Sequence, residues 1–222
     1  LLVVGKLVVL KLSGHLINYK EVIKETLREL RSLIKVARFV VIPGGSVFAD
    51  FVRELQGRVG FNDDVAHWLA IKAMEMYGTY ILSLDESGLF VETYNPPETY
   101  NAVDNGKIPV LMPYKVVRTV NELPHSWDVT SDSIAVYIAS LLKADTVILA
   151  KPLDTIPYVR SNLIRRMTIT ELQKLSRDIV DPYTPELLYR VKIPLVIYNM
   201  LKPYLLRYIV NEEPEDYILI TS

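Results

Sequence analysis

The sequence predicts an α/β protein, a three-layer αβα sandwich with a mostly parallel central sheet. Short, almost wholly apolar runs (Leu7 to Leu12, Phe39 to Ile42, Pro109 to Met112, Thr146 to Ala150) alternate with longer stretches of helical spacing. That alternation marks buried parallel strands joined by crossover helices on both faces. The chain has 222 residues, half of them hydrophobic. That is enough for one large domain with a sizeable core.

The elements follow in order. Leu7 to Leu12 reads as a buried strand broken by Ser13-Gly14-His15. Tyr19 to Lys35 carries Val22, Ile23, Leu27, Leu30 and Ile34 on one helical face. Phe39 to Ile42 is a strand stopped by Pro43-Gly44-Gly45-Ser46, and helices are expected from Val47 to Gln56 and from Asp64 to Tyr77. Tyr80 to Leu84 reads as a strand. Glu86 to Lys107 reads as irregular, broken at Asn95-Pro96-Pro97 and Asn105-Gly106. A helix from Ile134 to Leu142 precedes the strand at Thr146 to Ala150. Thr168-Ile169-Thr170-Glu171 resembles an N-cap opening a helix to Leu175, and Asp181-Pro182-Tyr183-Thr184-Pro185-Glu186 starts another. Leu195 to Tyr198 is a strand, Met200 to Tyr208 a helix, and Tyr217 to Ile220 the final strand. No repeat, low-complexity tract or linker interrupts residues 1–222, so a single domain is expected.

Composition excludes several functions. A formal net charge of −1 supplies no basic stripe for nucleic acid. There are no cysteines for disulfides or thiolate metal sites. His15, His67 and His125 lack metal-ligand spacing, so no metal site is expected, and His67 reads as a packed residue on an apolar helix. No apolar run reaches the roughly 18 residues of a membrane span. Leu1-Leu2-Val3-Val4 lacks a signal peptide's charged region and reads as a strand edge. A cytoplasmic protein without membrane or nucleic-acid partners is the expectation.

Four turns carry candidate chemistry, three of them at the carboxyl ends of strands, where open α/β sheets bind ligands. Lys11-Leu12-Ser13-Gly14 can set an ammonium on a phosphate beside backbone N–H groups, or be a surface lysine before an ordinary turn. Pro43-Gly44-Gly45-Ser46 opens a helix, where a close-approaching backbone and the helix dipole favour anions, or is a tight βα turn. His125-Ser126-Trp127-Asp128-Val129-Thr130-Ser131-Asp132-Ser133 gathers more polar groups before a helix than one cap requires. Lys151-Pro152-Leu153-Asp154 again offers a lysine and an acid at a strand end. The glycines complete neither a Walker motif nor a dinucleotide fingerprint.

In this order the four elements resemble the amino acid kinase superfamily, which includes acetylglutamate, carbamate and uridylate kinases. A finer resemblance runs through Pro43 to Arg53, Ala66-His67, Ala73-Met74 and Leu123 to Ala135. It points to the archaeal and methylotroph subgroup containing the methanofuran-pathway kinase, which phosphorylates [5-(aminomethyl)furan-3-yl]methyl phosphate with ATP.

The resemblance implies a kinase fold with an acceptor-side part at about 1–145 and a nucleotide-side part at about 146–222. It implies Mg-ATP as cofactor, a small phosphorylated or carboxylated acceptor, and a homo-oligomer, with the apolar helix from Asp64 to Tyr77 as its candidate interface. Lys11 would contact the transferred phosphate and Asp132 would orient Lys11 and neighbouring cations. Ser13, Gly14, Gly44, Gly45 and Ser46 would surround the phosphates. Asp50, Arg53, Trp127, Asp128 and Ser131 would bind substrate. Beyond the resemblance, residue chemistry lets Asp128 pair with a substrate ammonium and Trp127 flank an aromatic ring, or else Trp127 packs in the core and Asp128 braces the loop. Lys151, Asp154 and Tyr158 would line the nucleotide side. Departures from the family pattern are Ser13-Gly14-His15, Ser46 in place of a third glycine, Asp154-Thr155 in place of Asp-Gly, and no clear second phosphate-contacting lysine, Lys174 being the one candidate. Two alternatives stay open: a kinase-fold protein that binds nucleotide or anion without turnover, and a uridylate kinase.

Overall fold

Alternation along the first strand decides which side chains meet which layer. The computed structural model describes residues 5–153 and 166–221. Strand β1 is Leu7–Leu12. Its Leu7 and Val9 enter one core, and its Val8, Leu10 and Leu12 the other, as the period of two requires. Lys11 therefore points to the same face as Leu7 and Val9.

The remaining elements are α1 (Lys20–Leu33), β2 (Arg38–Pro43), α2 (Ser46–Val59), α3 (Asp63–Ser83), β3 (Phe90–Thr93), α4 (Pro96–Asp104), β4 (Ile108–Leu111), α5 (Pro113–Val120), α6 (Ser131–Leu141) and β5 (Thr146–Lys151). Then come β6 (Arg166–Thr168), α7 (Ile169–Ile179), α8 (Thr184–Val191), β7 (Leu195–Asn199), α9 (Leu205–Val210) and β8 (Tyr217–Thr221). A short 3₁₀ turn, Gly14–Asn18, follows β1. The eight strands form one sheet ordered β3-β4-β2-β1-β5-β7-β8-β6, with β7–β8 its antiparallel pair. One face packs under α1, the end of α3 and α9 through Ile23, Leu27, Tyr77, Ile81 and Leu206. The other packs under α5, α6, α7 and α8 through Val117, Ile134, Ile138, Leu172 and Leu188. The fold is the expected αβα sandwich.

Several local expectations are corrected. Tyr80 to Leu84 is not a strand, because α3 runs on to Ser83. Tyr77 and Ile81, one turn apart, both bury against the α1 side, so helical spacing wins over a short apolar run. Glu86 to Lys107 holds both β3 and α4. Asn95, read as a breaker, caps α4: its Oδ1 accepts from the Glu98 N–H at 2.9 Å, and Pro96 occupies the first helical position, where no N–H is needed. Helix α5 was not foreseen, nor the three-residue β6. Met200 to Tyr204 forms turns, and the helix begins only at Leu205. The expected strand edge at 1–4 lies outside the described residues, as do Asp154 and Tyr158.

Candidate active site

Strands β1, β2 and β5 are neighbours, so their carboxyl ends bring three separate loops together. Lys11 is 3 % exposed and Asp132, in the first turn of α6, is 2 % exposed. The Lys11 ammonium lies 2.8 Å from Asp132 Oδ1, and Lys151, at the end of β5, donates to Oδ2 at 2.6 Å. One carboxylate thus holds two ammonium groups from adjacent parallel strands. Burial alone would raise the Asp132 carboxyl, but the two ammonium charges outweigh it and hold the group below the usual carboxylate range. Burial pulls Lys11 below the usual lysine range, with Asp132 opposing and Lys151 reinforcing the shift.

What holds Asp132 in place is Asp181. Its Oδ2 accepts from the Thr130 N–H, the Thr130 hydroxyl and the Ser133 N–H at 2.8, 2.9 and 3.0 Å. Its Oδ1 accepts from the Ser133 hydroxyl and from the N–H and hydroxyl of Thr184. Burial and the Asp132 charge push the Asp181 carboxyl up, against the pull of these donors. Asp181 therefore ties the start of α6 to the start of α8. Sequence reasoning read it only as part of a helix start, and nothing local distinguishes such an acid from an ordinary cap.

The two glycine turns are packed on each other. A Cβ on Gly14 would sit 2.2 Å from the Ser46 nitrogen, and one on Gly44 would sit 2.6 Å from the Gly14 nitrogen. Ser46 adopts a left-handed conformation at φ 55°, and its buried hydroxyl has no partner among the described residues. No side chain caps α2, whose first N–H groups are therefore left without a side-chain partner, and Gly45, Ser46 and Val47 help line the adjoining cavity.

This cavity, about 360 Å³, is bounded by Lys11, Asp132 and Lys151 at one end and by α2, α3 and the Ser126–Ser131 loop elsewhere. Trp127 is half-buried, donates its indole N–H to Gln56 Oε1 at 2.6 Å, and carries the Arg53 guanidinium 4.3 Å from its ring centre. Gln56 in turn donates to Asp63 Oδ1 at 2.7 Å. His67 borders the cavity with its Nε2 unpartnered, and its ring stacks on His125. Burial and His125 push the His67 imidazole down to about 4, so it is neutral near pH 7.

A lysine-bridged acid beside an uncapped helix start and paired glycine turns is a phosphate-handling arrangement, and the amino acid kinase family pattern matches residues 6–199 of this chain. The chain belongs to the amino acid kinase family. It is 28 % identical over 181 residues to the [5-(aminomethyl)furan-3-yl]methyl phosphate kinase of Methanocaldococcus jannaschii, covering 79 % of this chain and 81 % of that one. The UMP kinase of Ureaplasma parvum superposes with a TM-score of 0.75 at 12 % identity, over 98 % of this chain and 99 % of the other. The uridylate kinase of Archaeoglobus fulgidus gives 0.73 at 17 % identity, over 97 % and 100 %. At such identities these two share the fold.

Within this amino acid kinase fold, Lys11, Ser13, Gly14, Gly45, Ser46, Asp50, Arg53, Trp127, Ser131, Asp132 and Lys151 all border the one cavity. Two residues do not. Gly44 is buried, and its N–H donates to the Leu12 carbonyl at 2.9 Å, so that N–H is not free for a phosphate. Asp128 is exposed and outside the cavity wall, and its backbone carbonyl accepts from the Tyr183 N–H. The surplus of polar groups before α6 is also partly structural, since Thr130 and Ser133 serve Asp181. Sequence reasoning passed over Asp63, which borders the cavity, and Gln56, which stands behind it and holds Trp127 and Asp63, and His67 was read only as packing.

Proposed function

We propose that this chain is an ATP-dependent kinase that transfers a phosphoryl group to a small phosphorylated acceptor, with [5-(aminomethyl)furan-3-yl]methyl phosphate as the leading candidate. The observation that carries this reading is the Asp132 carboxylate shared by Lys11 and Lys151 beside the open start of α2. The name of the Methanocaldococcus jannaschii relative supports the choice of acceptor.

In the reaction an acceptor phosphate oxygen bonds to the terminal phosphorus of ATP as the bond to the bridging oxygen breaks, and ADP leaves. The attacking oxygen is already ionised near neutral pH, so the protein needs no strong base there. Its work is positioning and charge neutralisation. Lys11 and Lys151 balance charge on the transferring group, and Asp132 keeps both ammonium groups aimed at one point. The N–H groups of Gly45, Ser46 and Val47 receive phosphate oxygens at the helix start. Among the described residues no three carboxylate or imidazole groups converge on one point. Asp132 is already engaged by two lysines, so magnesium fits as a passenger of the triphosphate, where it would neutralise nucleotide oxygens.

The proposal includes a single domain spanning the acceptor-side and nucleotide-side parts, supported by the joining of the described strands of both in one sheet. It also includes a homo-oligomer, supported by exposed Val65, Leu69 and Met76 along one face of α3. The test is ADP release with the aminomethylfuran phosphate as acceptor. Lys11→Ala and Asp132→Asn are each expected to lower turnover about 100-fold or more. Unchanged turnover in both variants would overturn the assignment. A protein that melts higher with Mg-ATP yet releases no ADP with any phosphorylated or carboxylated acceptor tried would instead support binding without turnover.

A further inference from the structure

Charge is unevenly placed along the cavity wall. At one end, two lysines and the α2 start are arranged for an anion. Asp50, one helical turn further along α2 than Ser46, lines the same cavity. Four residues at 1.5 Å rise put it about 6 Å down the helix from the phosphate end. Among the described residues its carboxylate has no ion pair and no hydrogen bond from another side chain.

The neighbouring charges do not neutralise it. Arg53, on the same helix, lies over the Trp127 ring and forms no ion pair with Asp50. His67 across the cavity is neutral, and Lys11 and Lys151 are committed to Asp132. Asp63, another carboxylate on the wall, is bonded to Gln56 and lies in the first turn of α3, where the helix dipole offsets its charge. Asp50, an exposed residue of α2 at the cavity wall, has neither compensation. The same wall carries the apolar side chains of Ile71, Met74 and Ile134 and the Trp127 indole. A bare carboxylate at that distance disfavours an acceptor that is negative throughout. It favours one with an anion at one end, a flat apolar middle and a cation at the other.

We infer that Asp50 is the specificity-determining residue for the acceptor, the counter-ion of a primary ammonium at the end of the acceptor away from its phosphate, one helical turn of α2 from the phosphate end. This rests on the proposal that the α2 start receives phosphate oxygens and the two lysines balance the transferring phosphoryl group, with the acceptor's phosphate at that end of the cavity. It assigns to Asp50 the role that sequence reasoning gave to Asp128.

The experiment compares the aminomethylfuran phosphate with its hydroxymethyl counterpart, which has the same shape and no charge at the far end. In the wild type, kcat/KM for the amine should exceed that for the alcohol by about 30-fold, or roughly 2 kcal/mol at 1.4 kcal/mol per decade. Asp50→Asn should collapse that ratio toward unity, mainly through KM for the amine. Asp50→Lys should reverse it in favour of a carboxylate-bearing analogue. An unchanged ratio in Asp50→Asn overturns the inference. If the wild type phosphorylates neither compound, the proposed function fails, and calorimetric binding of the same two compounds decides the role of Asp50. Tighter binding of the amine that Asp50→Asn abolishes supports it, and equal wild-type affinities overturn it.

Discussion

Asp181→Asn probes the link between fold and site most directly, because it keeps the side-chain shape and changes one atom. The amide nitrogen must take the place of one carboxylate oxygen. The Oδ2 position faces two backbone N–H groups, of Thr130 and Ser133, and one hydroxyl. The Oδ1 position faces one backbone N–H, of Thr184, and two hydroxyls. Hydroxyls can rotate to accept from the amide, but backbone N–H groups cannot. The asparagine therefore places its nitrogen at the Oδ1 position and strands the Thr184 N–H. One buried orphan donor costs about 1–3 kcal/mol, and the remaining bonds lose the strength an ionised acceptor lends them. Relief of a buried charge repelled by Asp132 returns part of this, leaving about 2–3 kcal/mol. For a chain of this size that corresponds to a fall of about 5–10 °C in melting temperature, read by circular dichroism. Turnover, measured where the variant is folded, should fall, because Asp132 and the two lysines it holds are displaced. A melting temperature within about 2 °C of wild type would refute the view that Asp181 anchors α6.

Two further outcomes follow from the same structure. Gly14→Ala drives a Cβ into the Ser46 backbone, which no rotamer change relieves, and should cost about 1–3 kcal/mol along with most ADP release. Gly57→Ala on α2 meets nothing within 4 Å and should raise the melting temperature, so equal melts for the two variants would contradict the close packing of the glycine turns. Stability should also decline as pH falls from about 6.5 to 4. His67 is held to about 4 in the folded chain against 6.5 unfolded, so within that window the unfolded state binds the extra proton. The full gap is worth about 3 kcal/mol at 1.36 kcal/mol per unit, and screening through the adjoining cavity reduces it to about 2. Below the unfolded aspartate range, protonation of the depressed Asp132 carboxyl removes its contribution as well. His67→Gln should flatten the upper part of this decline in thermal melts at pH 7 and 4.5, and an unaltered slope would exclude His67 as its source.

What could be read from the chain divides according to how local the cause is. Strands β1, β2 and β5 are legible because central parallel strands are buried on both faces, and Ser13-Gly14 and Pro43-Gly44-Gly45 mark two of their ends. Helix α4 was hidden because asparagine and two prolines mean a break or a helix start depending on which residue takes the cap. The site shows the same division. Lys11 and Asp132 stand out in their motifs, but Lys151 reaches Asp132 only because β5 lies beside β1, and Asp181 reaches α6 from 48 residues beyond Ser133. Helical geometry then divides the polar run before α6 into two roles. Thr130 and Ser133, three apart, share the side that meets Asp181, while Asp132 turns away toward the strand ends. One turn of helix thus carries anchor bonds on one side and the lysine bridge on the other. A change at Asp181, which borders no part of the cavity, therefore reaches both lysines through that single turn.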